Sequence, residues 1–122
     1  MGDARRHLGA YGEQLALEHL ERLGYALVAR NHRTRFGELD LVVCDDRTIV
    51  FVEVKTRRSY RPDRVWESLH EAKRMQVRRM AVAFLREAEQ RPNRGDVRFD
   101  AIGITIDPRG RLVDLQHLES AF

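Results

Sequence analysis

The spacing of apolar residues along this chain predicts two helices and five strands. Apolar residues at intervals of three and four predict helices, whereas continuous or alternating apolar runs predict strands. The predicted elements, in chain order, are a helix from about Ala4 to Leu23, a strand from Tyr25 to Arg33, two strands within the hairpin Gly37 to Arg57, a helix from Ser68 to about Gln90, and strands from Val97 to Ile106 and from Arg111 to Leu118. Because a helix joins the third and fourth strands, these two should pair in parallel through a right-handed connection. The prediction is an α/β fold with a mixed sheet, in the order α-β-β-β-α-β-β.

The hairpin contains two carboxylates that are predicted to face each other across its strands. A turn at Asp45 to Thr48 places Cys44 opposite Ile49, and counting back along both strands places Asp40 opposite Glu53. The two Cβ atoms would then lie roughly 5 Å apart. Two carboxylates between apolar flanks repel each other and lose hydration, so a divalent cation is the simplest compensation.

Oxygen ligands suit Mg²⁺ or Mn²⁺, and we predict Asp40 and Glu53 as the ligands of such an ion. Lys55 would lie about 6.6 Å farther along the face of Glu53. The alternative is an ordinary half-exposed strand face on which Lys55 pairs with Glu53.

The first helix has an apolar stripe with small residues in it. Gly12 and Ala16 lie among its leucines and would allow close packing on the sheet, and Gly24 follows as a stop signal. His19 falls at the edge of the stripe and is predicted to be a packing residue. Glu13 lies beside the stripe, and from its position alone a solvated glutamate is as good an interpretation as a site residue.

The second helix begins with the capping-box pattern Ser68 to Glu71. Its buried stripe is predicted to consist of Val77, Met80, Ala81, Phe84 and Ala88. One turn before this stripe lies Lys73, with Gln76 beside it, so both side chains should point toward the sheet. The alternative for Lys73 is that its ammonium extends past the sheet edge into solvent.

The segment between the third strand and this helix mixes basic and aromatic residues. From Lys55 to Arg79 there are nine basic and three acidic side chains, a net charge of +6 in a chain whose total is +3. Basic side chains can bind phosphates, and aromatic ones can stack on bases. The alternative is a solvated loop with Trp66 packed on the core. The predicted nucleic-acid contacts are Arg57, Arg58, Tyr60, Arg61, Arg64, Lys73 and Gln76.

Composition narrows the remaining possibilities. The 122 residues suffice for one domain, and the single cysteine, Cys44, excludes an internal disulfide and is expected in the core. No phosphate-binding glycine loop, dinucleotide fingerprint or HExxH motif occurs. The first residues lack an apolar run long enough for a signal peptide, which predicts a cytoplasmic protein without a membrane partner. Of 22 basic residues only Lys55 and Lys73 are lysines.

The order of these motifs resembles a known family. Asp40, twelve intervening residues and then Glu53-Val54-Lys55 resemble the PD-(D/E)xK nuclease signature, although Leu39 stands where a proline often precedes the aspartate. The strings GEQLALEHLERLGY, GELDLV, FVEVKTR and RFDAI look like the YraN family of uncharacterised bacterial proteins, over nearly the whole chain. That family is similar in fold to archaeal Holliday junction resolvases and restriction endonucleases.

The resemblance implies one endonuclease-like domain over residues 1–122, with helices on both sides of the sheet. It implies a nuclease dependent on Mg²⁺ or Mn²⁺ that acts on DNA, with branched or recombination intermediates as candidate substrates. Glu13 would reach the metal or its water, joining Asp40, Glu53 and Lys55 as a catalytic residue, and Lys73 or Gln76 would lie near the substrate phosphate.

Two other functions fit the same sequence. One is a non-catalytic nucleic-acid-binding module that retains the fold, and the other is a protein-interaction scaffold. A homodimer is left open. Asp100 is left out of the predicted site because Arg98 shares its strand face and offers an ion pair.

Overall fold

A computed structural model describes residues 2–62, 64–66, 70–87 and 95–122 of the chain. Two helices and five strands occur in the predicted order. Their bounds are α1 (Gly2–Arg22), β1 (Ala26–Thr34), β2 (Gly37–Cys44), β3 (Thr48–Arg58), α2 (Glu71–Glu87), β4 (Asp96–Ile106) and β5 (Leu112–Leu118). The order α-β-β-β-α-β-β is therefore confirmed.

The five strands form one mixed sheet in the order β1-β2-β3-β4-β5. The β3–β4 pair is parallel, as the intervening helix predicts, and the other three pairs are antiparallel. One helix packs on each face. The α1-side core is built around Ala16, Leu20, Val43, Val52 and Ile104, and the α2-side core around Phe51, Val77, Met80, Phe84 and Ala101.

Helix α1 lies close to β3 because a glycine faces the strand. A Cβ atom added to Gly12 would collide with the side chain of Thr56. Ala16 is fully buried one turn later, so the predicted close packing is confirmed. The helix ends before Gly24, whose φ of 99° lies in the left-handed region that favours glycine.

Helix α2 buries four of the five predicted stripe residues, Val77, Met80, Ala81 and Phe84. The fifth, Ala88, lies outside the described residues, as do Ser68 of the predicted capping box and the predicted helix end at Gln90. Neither helix in the described ranges is long and apolar enough to cross a membrane.

Trp66 anchors the chain after β3 to the sheet. Its indole N–H donates to the carbonyl of Ile102 at 3.0 Å, and its ring meets Phe122 edge-on at 5.8 Å between centroids. Gly103 leaves room for this segment, since a Cβ there would come within 2.8 Å of Val65. Of the two sequence interpretations for Trp66, packing on the core is therefore confirmed.

Candidate metal and nucleic-acid site

The predicted hairpin register is confirmed from the Cys44–Ile49 pair to the Leu41–Val52 pair. The next residues, Asp40 and Glu53, are joined differently. The Asp40 backbone N–H donates to Glu53 Oε2 at 3.3 Å, and the Val54 N–H donates to Asp40 Oδ2 at 2.8 Å. The carboxylates thus accept hydrogen bonds from the two strands where the backbone ladder ends.

Asp40 also lies at an irregularity on its other side. The β1–β2 register passes from Arg30–Leu41 to His32–Leu39, so that Asn31 and Asp40 form no bridge pair. Asn31 has a φ of 49°, which an asparagine adopts more easily than most residues. Leu39 belongs to the α2-side core and Leu41 to the α1-side core, although strict alternation would place both on one face. Asp40 is the point where the alternation breaks.

The charged form of Asp40 is disfavoured in this environment. Burial, followed by the negative charge of Glu53, raises the pKa of Asp40 to about 7, while the hydrogen bond from Val54 acts in the opposite direction. Glu53 itself is only 3% exposed. Near neutral pH the pair therefore favours either a shared proton or a bound cation.

Lys73 supplies part of the compensating charge. Its ammonium donates to Glu53 Oε1 at 2.9 Å, so the prediction that Lys73 points toward the sheet is confirmed and the solvent-directed alternative is wrong. Gln76 also turns toward the sheet, because its amide donates to the Phe36 carbonyl at 2.9 Å.

Lys55 does not form the ion pair with Glu53 that the alternative interpretation required. Its ammonium lies 5.6 Å from the centre of the Trp66 ring, and it makes no salt bridge within the described residues. The lysine is exposed. One lysine therefore neutralises the buried glutamate, while the other remains accessible to a ligand.

Glu13 is held near this group by Asn31. The Asn31 amide donates to Glu13 Oε1 at 3.0 Å and to Glu38 Oε1 at 3.2 Å. Burial raises the pKa of Glu13, and the charge of Glu13 in turn contributes to the raised pKa of Asp40. The structure thus brings Glu13 into the electrostatic environment of the pair, and Asn31 is a contributor that the sequence analysis did not identify.

The donor set fits a hard divalent ion with incomplete protein ligation. Across the described parts of the chain, no group of three or more histidine, cysteine, aspartate or glutamate side chains is arranged to hold a metal. Asp40 and Glu53 nevertheless offer carboxylate oxygens beside each other. Mg²⁺ often binds through one or two carboxylates and completes its shell with water and substrate phosphate.

Comparison with known proteins places the chain in a family. Uncharacterised protein family UPF0102 matches residues 12–104. This chain belongs to the UPF0102 family. A UPF0102 protein of Herpetosiphon aurantiacus is 43% identical over 122 residues, covering 98% of this chain and 97% of the relative. One from Pelotomaculum thermopropionicum is 40% identical over the full length of both, and one from Mycolicibacterium gilvum is 44% identical over 119 residues, covering 96% of this chain and 94% of the relative.

The family assignment confirms the YraN part of the sequence resemblance. The matched region includes Glu13, Asp40, Glu53, Lys55 and Lys73. It ends inside β4, so that β5 lies beyond it.

In the basic segment of this UPF0102 protein, residues 55–66, the described basic side chains and Tyr60 are exposed, whereas Val65 is buried and Trp66 packs on the core. Tyr60 is 77% exposed, and the Arg58 guanidinium donates to the Asp107 carbonyl at 3.2 Å. The four predicted arginines are all exposed: Arg57 and Arg58 are the last residues of β3, and Arg61 and Arg64 follow it. These positions suit the predicted contact with phosphates.

A second acidic centre lies in β4, of which only the Arg98–Asp100 ion pair was predicted from the sequence. The predicted ion pair is confirmed, since Arg98 donates to both carboxylate oxygens of Asp100 at 2.9 and 2.8 Å. His117 Nε2 also lies 2.8 Å from Asp100 Oδ2, and the Ser120 N–H donates to Oδ1 at 3.1 Å. His117 Nδ1 in turn lies 3.0 Å from Nε2 of His19.

The surroundings of Asp100 have the opposite effect to those of Asp40. Burial alone would raise the pKa of Asp100, but hydrogen bonds from His117, Arg98 and Ser120 outweigh it and hold that pKa below its ordinary value. These hydrogen bonds therefore stabilise the charged form of Asp100, and its role is structural. His19 packs between helix and sheet through His117, which agrees with the predicted packing role.

Proposed function

We propose that this UPF0102 protein is a metal-dependent nuclease that hydrolyses phosphodiester bonds in DNA. The observation that carries the proposal is the Asp40–Glu53 pair, in which the pKa of Asp40 is raised to about 7, beside an exposed Lys55. The resemblance of these residues to the PD-(D/E)xK signature, and of the family to resolvases of branched DNA, supports the reaction class and the substrate.

The residues divide the work of such a reaction between them. Asp40 and Glu53 would hold a Mg²⁺ or Mn²⁺ ion, which polarises the phosphate and lowers the pKa of a bound water. Lys73 offsets the charge of Glu53, and Glu13 adds a further carboxylate near Asp40. Lys55 would orient the attacking water or stabilise the charge that develops on the phosphoryl oxygens.

A non-catalytic nucleic-acid-binding module is the second candidate. It is favoured by the ion pair between Lys73 and Glu53, since that contact already neutralises one of the two carboxylates. One result distinguishes the two candidates. A nuclease nicks supercoiled DNA in the presence of Mn²⁺, whereas the binding module binds the DNA without cleaving it.

Asp40→Asn and Glu53→Gln should each weaken Mn²⁺ binding by about tenfold or more, because each removes one of two anionic ligands. Isothermal titration calorimetry measures this directly. At pH 6.5, binding to the natural chain should also release a proton, since the pKa of Asp40 is raised to about 7. The proton release should be absent from Asp40→Asn.

Asp46→Asn is the matched control for this titration, because Asp46 is an exposed aspartate in the β2–β3 turn. It changes the net charge equally and should leave Mn²⁺ affinity unaltered. Equal affinities for the natural chain, Asp40→Asn and Glu53→Gln would exclude the metal site.

Replacing the four basic-segment arginines together should weaken DNA binding and reduce its salt dependence. With all four as glutamine, the slope of log K against log salt should become smaller by up to about four. Fluorescence anisotropy over a salt series gives both quantities.

The control for this variant replaces four exposed arginines elsewhere on the surface. These are Arg6, Arg22, Arg33 and Arg47. An unchanged slope for the basic-segment variant, or an equal change for the control, would place the nucleic-acid surface elsewhere.

A further inference from the structure

A groove runs beside helix α2, next to the β1–β2 turn. It is formed between the β1–β2 turn and the exposed face of α2 and has a volume of about 490 Å³. We call it the arginine groove and define it by Arg35, Phe36, Arg79, Val82, Ala83 and Arg86. The predicted nucleic-acid contacts did not include any of these residues.

The helix presents this groove through a second stripe. Positions 79, 82, 83 and 86 follow the spacing of three and four residues that places side chains on one helix face. This face differs from the buried stripe of α2, and Val82 is 49% exposed on it. An apolar side chain between two arginines is thus left open to solvent.

The charge of the arginine groove is strongly positive. Its lining includes a single acid, Glu87, whose carboxylate is already 3.4 Å from His32 Nε2. Arg78, which borders the groove, donates instead to the Phe122 carbonyl at 2.8 Å and lies over the Phe99 ring. The positive charge of the groove is therefore supplied by Arg35, Arg79 and Arg86.

The floor of the groove suits flat apolar groups. Phe36 lies there, with the Arg35 guanidinium 4.8 Å above the centre of its ring. Val82 and Ala83 continue the apolar surface. Arginines around an aromatic and aliphatic floor offer both phosphate contacts and stacking surfaces, which is the combination that unpaired nucleic-acid strands use.

Helix α2 and the β1–β2 turn link the groove to the proposed site. The Gln76 amide donates to the Phe36 carbonyl, and Lys73, one turn earlier on the helix, donates to Glu53 Oε1. From Gly37 to Asp40, β2 advances three residues, or about 10 Å. Arg79 and Arg86 are seven residues apart on the helix, again about 10 Å. Both spans correspond to about three stacked nucleotides.

We propose that the arginine groove binds an unpaired strand of nucleic acid that extends from the Asp40–Glu53 site. This inference rests on the proposed function and specifies its substrate class: DNA with a single-stranded arm beside the duplex. Arg79 and Arg86 bind phosphates of the arm, while Val82 and the Arg35 guanidinium, which lies over the Phe36 ring, contact its bases.

The test compares two DNA molecules with the same duplex, one blunt and one with an unpaired arm. Fluorescence anisotropy is measured with EDTA present, so that binding is separated from cleavage. The variant Arg79→Gln/Arg86→Gln should lose about tenfold or more in affinity for the armed DNA and less than about threefold for the blunt DNA. Arg6→Gln/Arg22→Gln, with the same change in charge, should affect both DNAs equally and weakly.

A second variant, Val82→Asn, keeps the charge and removes the apolar floor. It should reduce only the preference for the armed DNA. Equal losses on the two DNAs in the groove variants, or no loss, would overturn the inference, and thermal melting checks that these exposed substitutions leave the fold intact.

Failure of the groove and failure of the nuclease are distinguishable. Nicking of supercoiled DNA by the natural chain, together with groove variants that bind the armed and the blunt DNA as the natural chain does, would overturn the groove alone. An arm preference without nicking on any DNA would overturn the nuclease and leave the groove as a strand-binding surface.

Discussion

Asp100→Asn is expected to lower the free energy of unfolding by about 3 kcal/mol, the largest loss of stability that a single conservative substitution should cause here. Asp100 is fully buried and accepts hydrogen bonds from Arg98, His117 and Ser120. Asparagine removes the negative charge and leaves Arg98 without its bidentate partner. Urea unfolding at pH 7.5, followed by circular dichroism, measures the difference.

The matched comparison is Asp40→Asn, for which the opposite sign is expected. Because the folded pKa of Asp40 is raised to about 7 from 3.8, its ionisation destabilises the folded state as the pH rises through that interval. Above pH 7 the asparagine variant should therefore be more stable than the natural chain by about 1–3 kcal/mol, and near pH 4 the advantage should vanish.

For Asp100 the pH dependence reverses. Its folded pKa lies below the ordinary value of 3.8, so its stabilising contribution is present above that pH and is lost as the pH falls below it. Two substitutions with the same sign at pH 7.5 would contradict the assignment of Asp40 as a ligand-ready acid and Asp100 as a structural one.

Lys55→Arg is expected to reduce DNA nicking by about a hundredfold while leaving DNA and metal binding nearly unchanged. Charge is conserved, so attraction to phosphate persists. The guanidinium is wider than an ammonium and keeps its proton. A displacement of about 1 Å at a reacting centre is enough for a loss of this size.

The measurement is single-turnover nicking with Mn²⁺, on supercoiled and four-way-junction DNA, at matched DNA occupancy. Arg111→Lys, a swap of the same two side chains at an exposed position, is the control and should keep the natural rate. Equal nicking rates for Lys55→Arg and the natural chain would show that Lys55 only attracts the phosphates of DNA and has no catalytic role. No nicking by the natural chain would favour the binding module.

Much of the fold could be predicted from local patterns of apolar and turn residues in the sequence. The hairpin register depended on one turn and two continuous apolar strands, and the pairing of Cys44 with Ile49 is confirmed. The helix between β3 and β4 sufficed to predict their parallel pairing. Lys73 could be directed toward the sheet because it extends a regular apolar stripe by one turn.

The irregular parts of the site could not be predicted in this way. Alternation assumes a regular strand, and the left-handed Asn31 interrupts it beside Asp40. The sequence offers only the presence of an asparagine within a predicted strand as a signal. His117 was missed because its partner His19 is 98 residues away, and no local pattern reports such a contact. The arginine groove was missed because it joins a turn to a distant helix face.

The position of Trp66 gives the protein an optical probe of its own site. It is the only tryptophan in the chain, its indole is fixed to Ile102, and Lys55 lies over its ring. Emission excited at the red edge of the absorption band therefore originates beside the exposed lysine. The wavelength and intensity of that emission depend on whether the ring stays packed on the core and on the charges around it. Binding of a ligand at the site can therefore be followed without attaching a dye.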